Sequence, residues 1–430
     1  MSAARGYHAR VTAPAATLPP IPVPHFDGWR IVALGAVAQG LAMPLLAAYG
    51  IVATPLIQEF GANATELGIG ISLALLAAAL VGPALGAALD RGPLRAIMLA
   101  GVVLMFVSVL ALSRSAALWQ LAAGFACAVV GMSMYGMLPV SVVLVNWFVQ
   151  RRGTALSLAH AGTSVGALLV PTTTAWLIEW LGWRDALVAL AAGAALVALP
   201  AVARLVKRPE ELGQTPDGIP RPLDPTPVRE HGAVARGRED ANWLRDRNFW
   251  LIGSGVGLAL SVSVATLFLV RHLETLGIPR TRAALVPSSM ALFGIAGKLA
   301  AGWLVDRIDS RAVVAGALLL HALGWTIVAS QSSYAAMLLA SVPLGLGGGG
   351  FLPLPPVLQG RCFGRAAIGR IGGIHALIGL PFLLAVSPLV GWAAVRTGGF
   401  AAPFLALAGV LALAALVLAC VRIPELEPVA

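Results

Sequence analysis

Long apolar stretches separated by short polar segments run through almost the whole chain. A stretch of roughly 17 to 25 apolar residues is long enough to cross a bilayer as a helix. The pattern predicts twelve such helices, at residues 31–56, 66–89, 94–112, 116–145, 151–178, 184–206, 248–271, 281–305, 311–330, 333–359, 365–395 and 399–421. We therefore expect an all-α membrane protein with twelve transmembrane helices.

The composition favours the same class of protein. Of the 430 residues, 58% are hydrophobic and only 11% are charged, and the mean hydropathy is +0.86. Soluble globular domains carry about 25% charged residues. Residues 1–28 hold five prolines and no apolar core, so we interpret them as a tail and not as a signal peptide.

The basic residues predict the orientation of the chain in the membrane. If the amino terminus is cytoplasmic, 22 of the 29 Lys and Arg residues lie in cytoplasmic tails and loops, and six lie on the opposite side. This asymmetry follows the positive-inside rule. We expect both termini in the cytoplasm and the chain in the cell inner (cytoplasmic) membrane. The net charge of +10 then reflects membrane topology, and no nucleic-acid partner is expected.

A repeat relates the two halves of the chain. The segment 207–247 is long, polar and rich in proline, which is typical of a linker. Gly302, Asp306 and Arg307 follow Gly86, Asp90 and Arg91 by 216 residues. The predicted organisation is a tail at 1–28, a six-helix bundle at 29–206, the linker at 207–247, a second six-helix bundle at 248–422 and a tail at 423–430. Parallel repeats of this kind occur in transporters, with the substrate site between them.

The repeated loops resemble a known signature. "GAALDRGPLR" (86–95) and "GWLVDRIDSR" (302–311) are similar to the two loop signatures of the major facilitator superfamily. The resemblance implies the major facilitator fold, with two pseudo-symmetric six-helix bundles, and a gating role for Asp90, Arg91, Arg95, Asp306, Arg307 and Arg311. Each carboxylate can accept hydrogen bonds from the amino end of a neighbouring helix or pair with an arginine. A tight loop with a surface ion pair is the alternative.

Further segments resemble one branch of that superfamily. The monocarboxylate transporter and oxalate/formate antiporter group has segments similar to "DGWRIV" (27–32), "NWFVQRRGTALSLAHAGTSVG" (146–166), "GWRDAL" (182–187) and "GKLAAGWLVDR" (297–307). In that group an arginine at the position of Lys298 binds the substrate carboxylate, so the resemblance implies this role for Lys298. The further lysines of the group, in the first and eleventh helices, are missing here. A single fixed positive charge suits a monocarboxylate.

Lys298 is unusual by its position alone. A charged lysine near the centre of a membrane helix costs on the order of 3 kcal/mol, so it normally faces a wet cavity or a partner. Its face of the helix carries Gly294, Ala301 and Gly302, and we expect these small residues to leave room for a ligand. All 19 Asp and Glu residues lie in tails, loops or span ends, so the missing anion is expected to come from the substrate. A snorkelling lysine or an internal ion pair is the alternative.

Other polar residues within the predicted spans are weaker candidates for the path of the substrate. They are His160, His375, Tyr49, Gln39, Tyr135 and Asn146. His160 and His375 are related by an offset of 215, and we expect them to face each other and to take part in proton movement. Simple packing is the alternative for each, and for His321. The glycine run in "PLGLGGGGFLPLPP" (343–356) predicts either a bending gate or a close-packing surface.

The residues that usually carry catalysis form no recognisable constellation. Cys127, Cys362 and Cys420 show no paired spacing, so neither a metal site, a cofactor nor a disulfide is predicted. We expect a monomeric secondary active transporter, not an enzyme, that moves a small organic anion by alternating access and uses protons for coupling. The alternatives are an efflux transporter for an amphiphilic compound or antibiotic, and a membrane sensor that transports nothing.

Overall fold

The computed structural model describes residues 26–42, 44–62, 64–219 and 243–423, which form helices and no strand. The first four spans are α1, made of Gly28–Ala42 and Pro44–Phe60, α2 (Ala64–Arg91), α3 (Leu94–Ser113), and α4, made of Leu118–Tyr135 and Met137–Trp147. The next two spans form one helical run, Arg152–Ala203.

A single glycine divides that run into two spans. Gly182 has φ 74°, a conformation that glycine adopts without a steric penalty. We name residues 152–181 α5 and residues 183–203 α6. Directly after the turn, Trp183 and Arg184 both donate hydrogen bonds of 2.6 Å to the carboxylate of Glu59 at the end of α1. The "GWRDAL" segment therefore turns the chain and ties α6 to α1.

The second half repeats this arrangement. Its spans are α7 (Arg247–Ser261 and Thr266–Thr275), α8 (Leu285–Val305), α9 (Ser310–Ser330), α10 (Tyr334–Phe351 and Leu354–Phe363), α11 (Ile368–Thr397) and α12 (Ala401–Ala419). A short helix, Arg280–Ala283, precedes α8. Single 3-10 turns, Pro209–Leu212, Pro216–Gly218 and Trp243–Arg245, lie in the described parts of the linker.

Corresponding helices pack in the same way in the two halves. α1 packs on α5 as α7 packs on α11, and α3 packs on α4 as α9 packs on α10. The halves meet along two pairs of helices, α2 with α11 and α5 with α8. Within the described ranges, ten helical segments are apolar and long enough to cross a membrane. The break at Gly182 and the two-piece α1 bring the number of described spans to twelve. The predicted twelve-helix, two-bundle architecture is confirmed, whereas the exact domain limits stay predictions.

The glycine run of α10 forms a packing surface and no bend. Tyr334–Phe351 is one continuous helix through all four consecutive glycines. Gly345 lies against the carbonyl of Met290, and Gly349 lies against the backbone of Gly294, with no room for a Cβ atom at either glycine. Both contacts are with α8. Close backbone contact of this kind is how small residues join membrane helices, so the four glycines form a close-packing surface in this conformation. The helix is interrupted after them, between Phe351 and Leu354, and a bending gate in the segment 343–356 stays a prediction.

We expect Gly349→Ala to destabilise the protein and Gly316→Ala to leave it unchanged or slightly more stable. A methyl group at Gly349 overlaps the backbone of α8, whereas Gly316 on α9 has nothing within 4 Å of a built Cβ. Overpacking costs about 1–3 kcal/mol, while Ala gains about 1 kcal/mol over Gly in an exposed helix. Thermal unfolding of the purified proteins in detergent measures both effects. Equal melting temperatures for the two variants would contradict the packing role.

Candidate functional site

A carboxylate from the second half caps a helix of the first half. Asp306, at the end of α8, accepts hydrogen bonds from the backbone N–H groups of Gly153 (2.7 Å) and Thr154 (2.8 Å), and from the Thr154 hydroxyl (2.7 Å). These groups form the first turn of α5, whose N–H groups lack partners within the helix. The negative charge is also favoured by the helix dipole at this end.

The repeat produces the same contact in the opposite direction. Asp90, at the end of α2, accepts hydrogen bonds of 2.8 Å from the backbone N–H groups of Gly369 and Arg370 at the start of α11. Each residue in this contact is 216 positions from its counterpart in the other contact. Next to each cap two glycine backbones touch, Gly86 with Gly369 and Gly302 with Gly153. We call this end of the molecule, which carries Asp90 and Asp306, the signature end.

The arginines of the two signatures make their described contacts within their own halves. Arg91 is exposed, and Arg95 donates to the carbonyl of Leu205 (3.1 Å). Arg307 donates to the carbonyl of Trp303 (3.0 Å). Arg311 pairs with Asp309 at 2.6 Å, and its guanidinium holds the pKa of the Asp309 carboxyl below its ordinary value. In their described contacts the two aspartates, and not the four arginines, join the two halves.

The described start of the linker adds contacts at the signature end that the sequence did not indicate. Asp217 accepts hydrogen bonds of 2.8 Å from the N–H groups of Val149 and Gln150, just before α5. Lys207 donates to the carbonyl of Asp90 (2.7 Å), and its burial lowers the pKa of its amino group. Glu210 pairs with Arg365 of the second half at 3.0 Å. The linker therefore lies across both halves at this end.

Lys298 lies on α8 about two turns from the signature end and binds α5. Its side chain is 4% exposed. Its ammonium donates to the Ser164 hydroxyl (2.5 Å), the Thr163 hydroxyl (3.0 Å) and the backbone carbonyl of His160 (3.2 Å). All three acceptors are neutral, and among the described residues no carboxylate forms a salt bridge with this ammonium. Lys298 therefore joins the two halves as a buried charge with no described counter-ion.

Neighbouring helices fill the space beside the small residues around Lys298. Gly302 lies against Ser157 of α5, and Gly294 lies near Gly345 and Gly349 of α10. The expectation that this face leaves room for a ligand is wrong in this conformation, because small residues here serve backbone contact between helices. The counterpart of Lys298 in the first half is Gly82, which packs directly on the backbone of Gly373.

The two histidines predicted to face each other lie in different environments. His160 is buried and its Nδ1 lies 2.7 Å from the carbonyl of Leu156. The Nδ1 of His375 lies 3.0 Å from the Gln359 amide, and its ring packs on Phe249, so its contacts are within the second half. The aspartate caps show that equivalent positions of α5 and α11 are 216 residues apart. His160 and His375 are 215 residues apart, so their expected equivalence is off by one residue.

His321 belongs to the packing of the second half. Its Nε2 accepts a hydrogen bond of 3.1 Å from Trp325, one turn along α9. Its ring packs on Gly348 of α10.

The remaining candidates are spread through the first half. Gln39 of α1 is fully buried, and its amide has no described partner. Tyr135 donates to the carbonyl of Leu41 (3.1 Å) and so joins α4 to α1. Asn146 is buried, and its backbone carbonyl accepts a hydrogen bond from Arg365 (3.3 Å). The side chain of Tyr49 lies outside the described part of the chain.

A small cavity lies away from these residues. It has a volume of about 30 Å³ and is enclosed by apolar side chains of α1, α3, α4 and α6, among them Val52, Val109, Leu121 and Leu187. This volume suits about one water molecule. Its size and its apolar walls exclude it as an anion site.

The fold and the signature agree with known proteins. The family model described as Major Facilitator Superfamily matches residues 31–270 and again residues 249–430. Among solved structures, the proton:xylose symporter XylE bound to 6-bromo-6-deoxy-D-glucose has a TM-score of 0.74 at 15% identity, covering 91% of this chain and 94% of that chain. A bacterial homologue of the iron transporter ferroportin in an outward-facing state has a TM-score of 0.69 at 18% identity, covering 90% and 98%. These identities are low, so the likeness concerns the fold.

Several proteins named monocarboxylate transporters are similar to this chain in sequence. Monocarboxylate transporter 11 of Mus musculus is 27% identical over 389 residues, which are 88% of this chain and 83% of that protein. Monocarboxylate transporter 12 of Rattus norvegicus is 26% identical over 290 residues, 62% of this chain and 59% of that protein. Monocarboxylate transporter 6 of Homo sapiens is 32% identical over a shorter stretch of 159 residues, 36% and 31%.

We expect Asp306→Asn and Asp90→Asn to open the signature end. Each change removes the charge and one acceptor oxygen from a cap that joins the halves. Spin labels on cysteines placed at Ala96 and Ile308, in a background with the native cysteines replaced, measure the distance between the halves by electron paramagnetic resonance. The mean distance is expected to lengthen or its distribution to gain a longer component.

Asp309→Asn provides the matched control. Asp309 caps α9 and pairs with Arg311 in its own half, so its loss leaves the contact between the halves intact. An unchanged distance in the Asp90 and Asp306 variants, or an equal change in the Asp309 variant, would show that the caps do not hold the signature end closed.

Proposed function

The chain belongs to the major facilitator superfamily of transporters, and from this premise we propose that it carries a small organic anion, a monocarboxylate, by alternating access. Lys298 binds the substrate carboxylate. The similarity to proteins named monocarboxylate transporters supports this substrate class. The chain is a multi-pass membrane protein.

The observation that carries the proposal is the buried ammonium between the halves. Lys298 is almost fully buried, and its three described partners are a carbonyl and two hydroxyls. A buried charge in a membrane span is costly unless an opposite charge or water compensates it. A substrate carboxylate supplies that opposite charge, and it does so at the place where the two halves meet. One fixed cation matches one carboxylate.

The position of the contacts supports an orientation for the transport cycle. The positive-inside asymmetry puts the signature end, both termini and the linker on the cytoplasmic side of the inner membrane. With this orientation the two aspartate caps close the cytoplasmic side, and the substrate reaches Lys298 from the outside. Opening of the caps then exposes the same site to the cytoplasm.

Proton coupling completes the proposal. Among the described residues, no carboxylate forms a salt bridge with Lys298. Because no such carboxylate can take up the incoming proton, the proton travels on the substrate, on Lys298 or on a nearby histidine. His160 supports this role best, because its carbonyl binds Lys298 and its buried Nε2 has no described partner. The protein is proposed to act as a monomer.

We expect purified protein in proteoliposomes to take up a labelled monocarboxylate, and Lys298→Ala to abolish this uptake. The panel consists of lactate, pyruvate, formate, oxalate and a neutral sugar, each with and without an inward proton gradient. Lys298→Arg keeps the positive charge and should retain part of the uptake. Stimulation by the gradient reports coupling to protons.

Arg396→Ala serves as the control for loss of a positive charge. Arg396 is exposed at the far end of α11, so its removal should leave uptake unchanged. The carboxylate proposal fails if no anion of the panel enters, or if Lys298→Ala transports as well as wild type. An efflux function for an amphiphilic compound then becomes the first alternative.

A further inference from the structure

The three contacts of Lys298 use all the hydrogens of its ammonium group. An ammonium has three N–H donors, and Ser164, Thr163 and the His160 carbonyl accept one each at 2.5 to 3.2 Å. A carboxylate that binds Lys298 must therefore replace at least one of these acceptors. Which acceptor gives way depends on what each one binds besides the lysine.

The three acceptors differ in their other bonds. The Thr163 hydroxyl donates its own hydrogen to the carbonyl of His160 at 2.7 Å, so Thr163 and His160 hold each other within one turn of α5. Ser164 has no described bond other than its contact with Lys298. Its hydroxyl hydrogen is thus available for a further acceptor, and its side chain can turn without breaking a bond within the helix.

The residues around the ammonium differ in how far the packing buries them. Toward the signature end, Gly302 is in contact with Ser157 and Gly153 of α5. Lys298 itself is 4% exposed, whereas Thr163 and Ser164 are half-buried. A ligand that approaches through these half-buried residues therefore meets Thr163 and Ser164 before Lys298.

We propose that Ser164, with Thr163, forms the first-half part of the anion site. One carboxylate oxygen takes the place of the Ser164 oxygen on the Lys298 ammonium, and the Ser164 hydroxyl turns to donate its hydrogen to the carboxylate. Thr163 keeps the ammonium in position. This inference rests on the proposed function, and it makes the substrate a bridge between α8 of one half and α5 of the other.

The donor set predicts which anions bind. An ammonium and one hydroxyl, that of Ser164, match the two oxygens of a single carboxylate. A second carboxylate on the same ligand would find no further cation among the described mid-span residues, because Lys298 is the single Lys or Arg in the interior of these spans. Specificity for monocarboxylates thus depends on Ser164 as well as on Lys298.

The test compares Ser164→Ala, Ser164→Thr and Thr163→Val in the full-length protein. Uptake of labelled lactate and pyruvate into proteoliposomes gives KM and the maximal rate for each variant. Ser164→Ala is expected to raise KM about tenfold or more, because a hydrogen bond to a charged group is lost. Ser164→Thr keeps the hydroxyl and should restore a KM close to wild type. Thr163→Val should raise KM to a smaller extent.

Thr173→Val is the matched control. Thr173 lies on the same helix, is exposed, and donates only to the carbonyl of Leu169 among its described contacts, so KM should not change. The melting temperature of each variant separates misfolding from loss of binding. A purely structural role for Ser164 would change the maximal rate or the melting temperature and leave KM as in wild type, and this result would overturn the inference.

The outcomes also separate this inference from the proposed function. Wild-type uptake of lactate or pyruvate with an unchanged KM in Ser164→Ala overturns the role of Ser164 and leaves the proposed function standing. Absence of carboxylate uptake by the wild type overturns both. A raised KM in Ser164→Ala, with recovery in Ser164→Thr, supports both.

Discussion

The contact on which the rest of the structure depends is a carboxylate at the end of one helix that caps a helix in the other half. Asp306 closes α8 onto α5, and Asp90 closes α2 onto α11. Each carboxylate satisfies backbone N–H groups that have no partner within their own helix, and hydrogen bonds to a charged group contribute about 1.5–3 kcal/mol each. The glycines beside the caps let the backbones meet. Each cap is a small, directional contact between the halves that a rigid rotation can break.

The symmetry of these two caps makes the position of Lys298 significant. At the equivalent position of the other pair of helices, α2 and α11, Gly82 packs on Gly373 with no side chain between the backbones. A scaffold that needed only close packing would have a small residue in both places. The chain instead has a buried ammonium on α8 and neutral acceptors opposite it on α5. Lys298 thus departs from the repeat by a charge that the packing of these helices does not need, and this departure supports its proposed role as a binding residue.

Much of the fold could be predicted from the sequence, and part of the site. Spans of apolar residues and a repeated Gly-x-x-x-Asp-Arg pattern are local signals, so they predicted the helices, the two halves and the capping aspartates. Lys298 was predictable because a charge is conspicuous in an apolar helix. The partners of these residues were not, since a helix face shows which residues are small but not which helix covers them. The expected room beside Gly302 was wrong for this reason, and the contact of Ser164 with Lys298 was not predicted because serine is common in membrane helices.

The cap and the ammonium act together because one helix carries both. α8 is continuous from Leu285 to Val305, and Lys298 lies eight residues, about 12 Å along the helix axis, from Asp306. Both residues bind α5, the cap at its first turn and the lysine three turns further on. A movement of α8 that frees Asp306 from Gly153 and Thr154 therefore also changes the position of Lys298 relative to α5. A ligand held between Lys298 and Ser164 lies across this same interface, so its binding energy acts directly on the equilibrium between the closed and the open signature end.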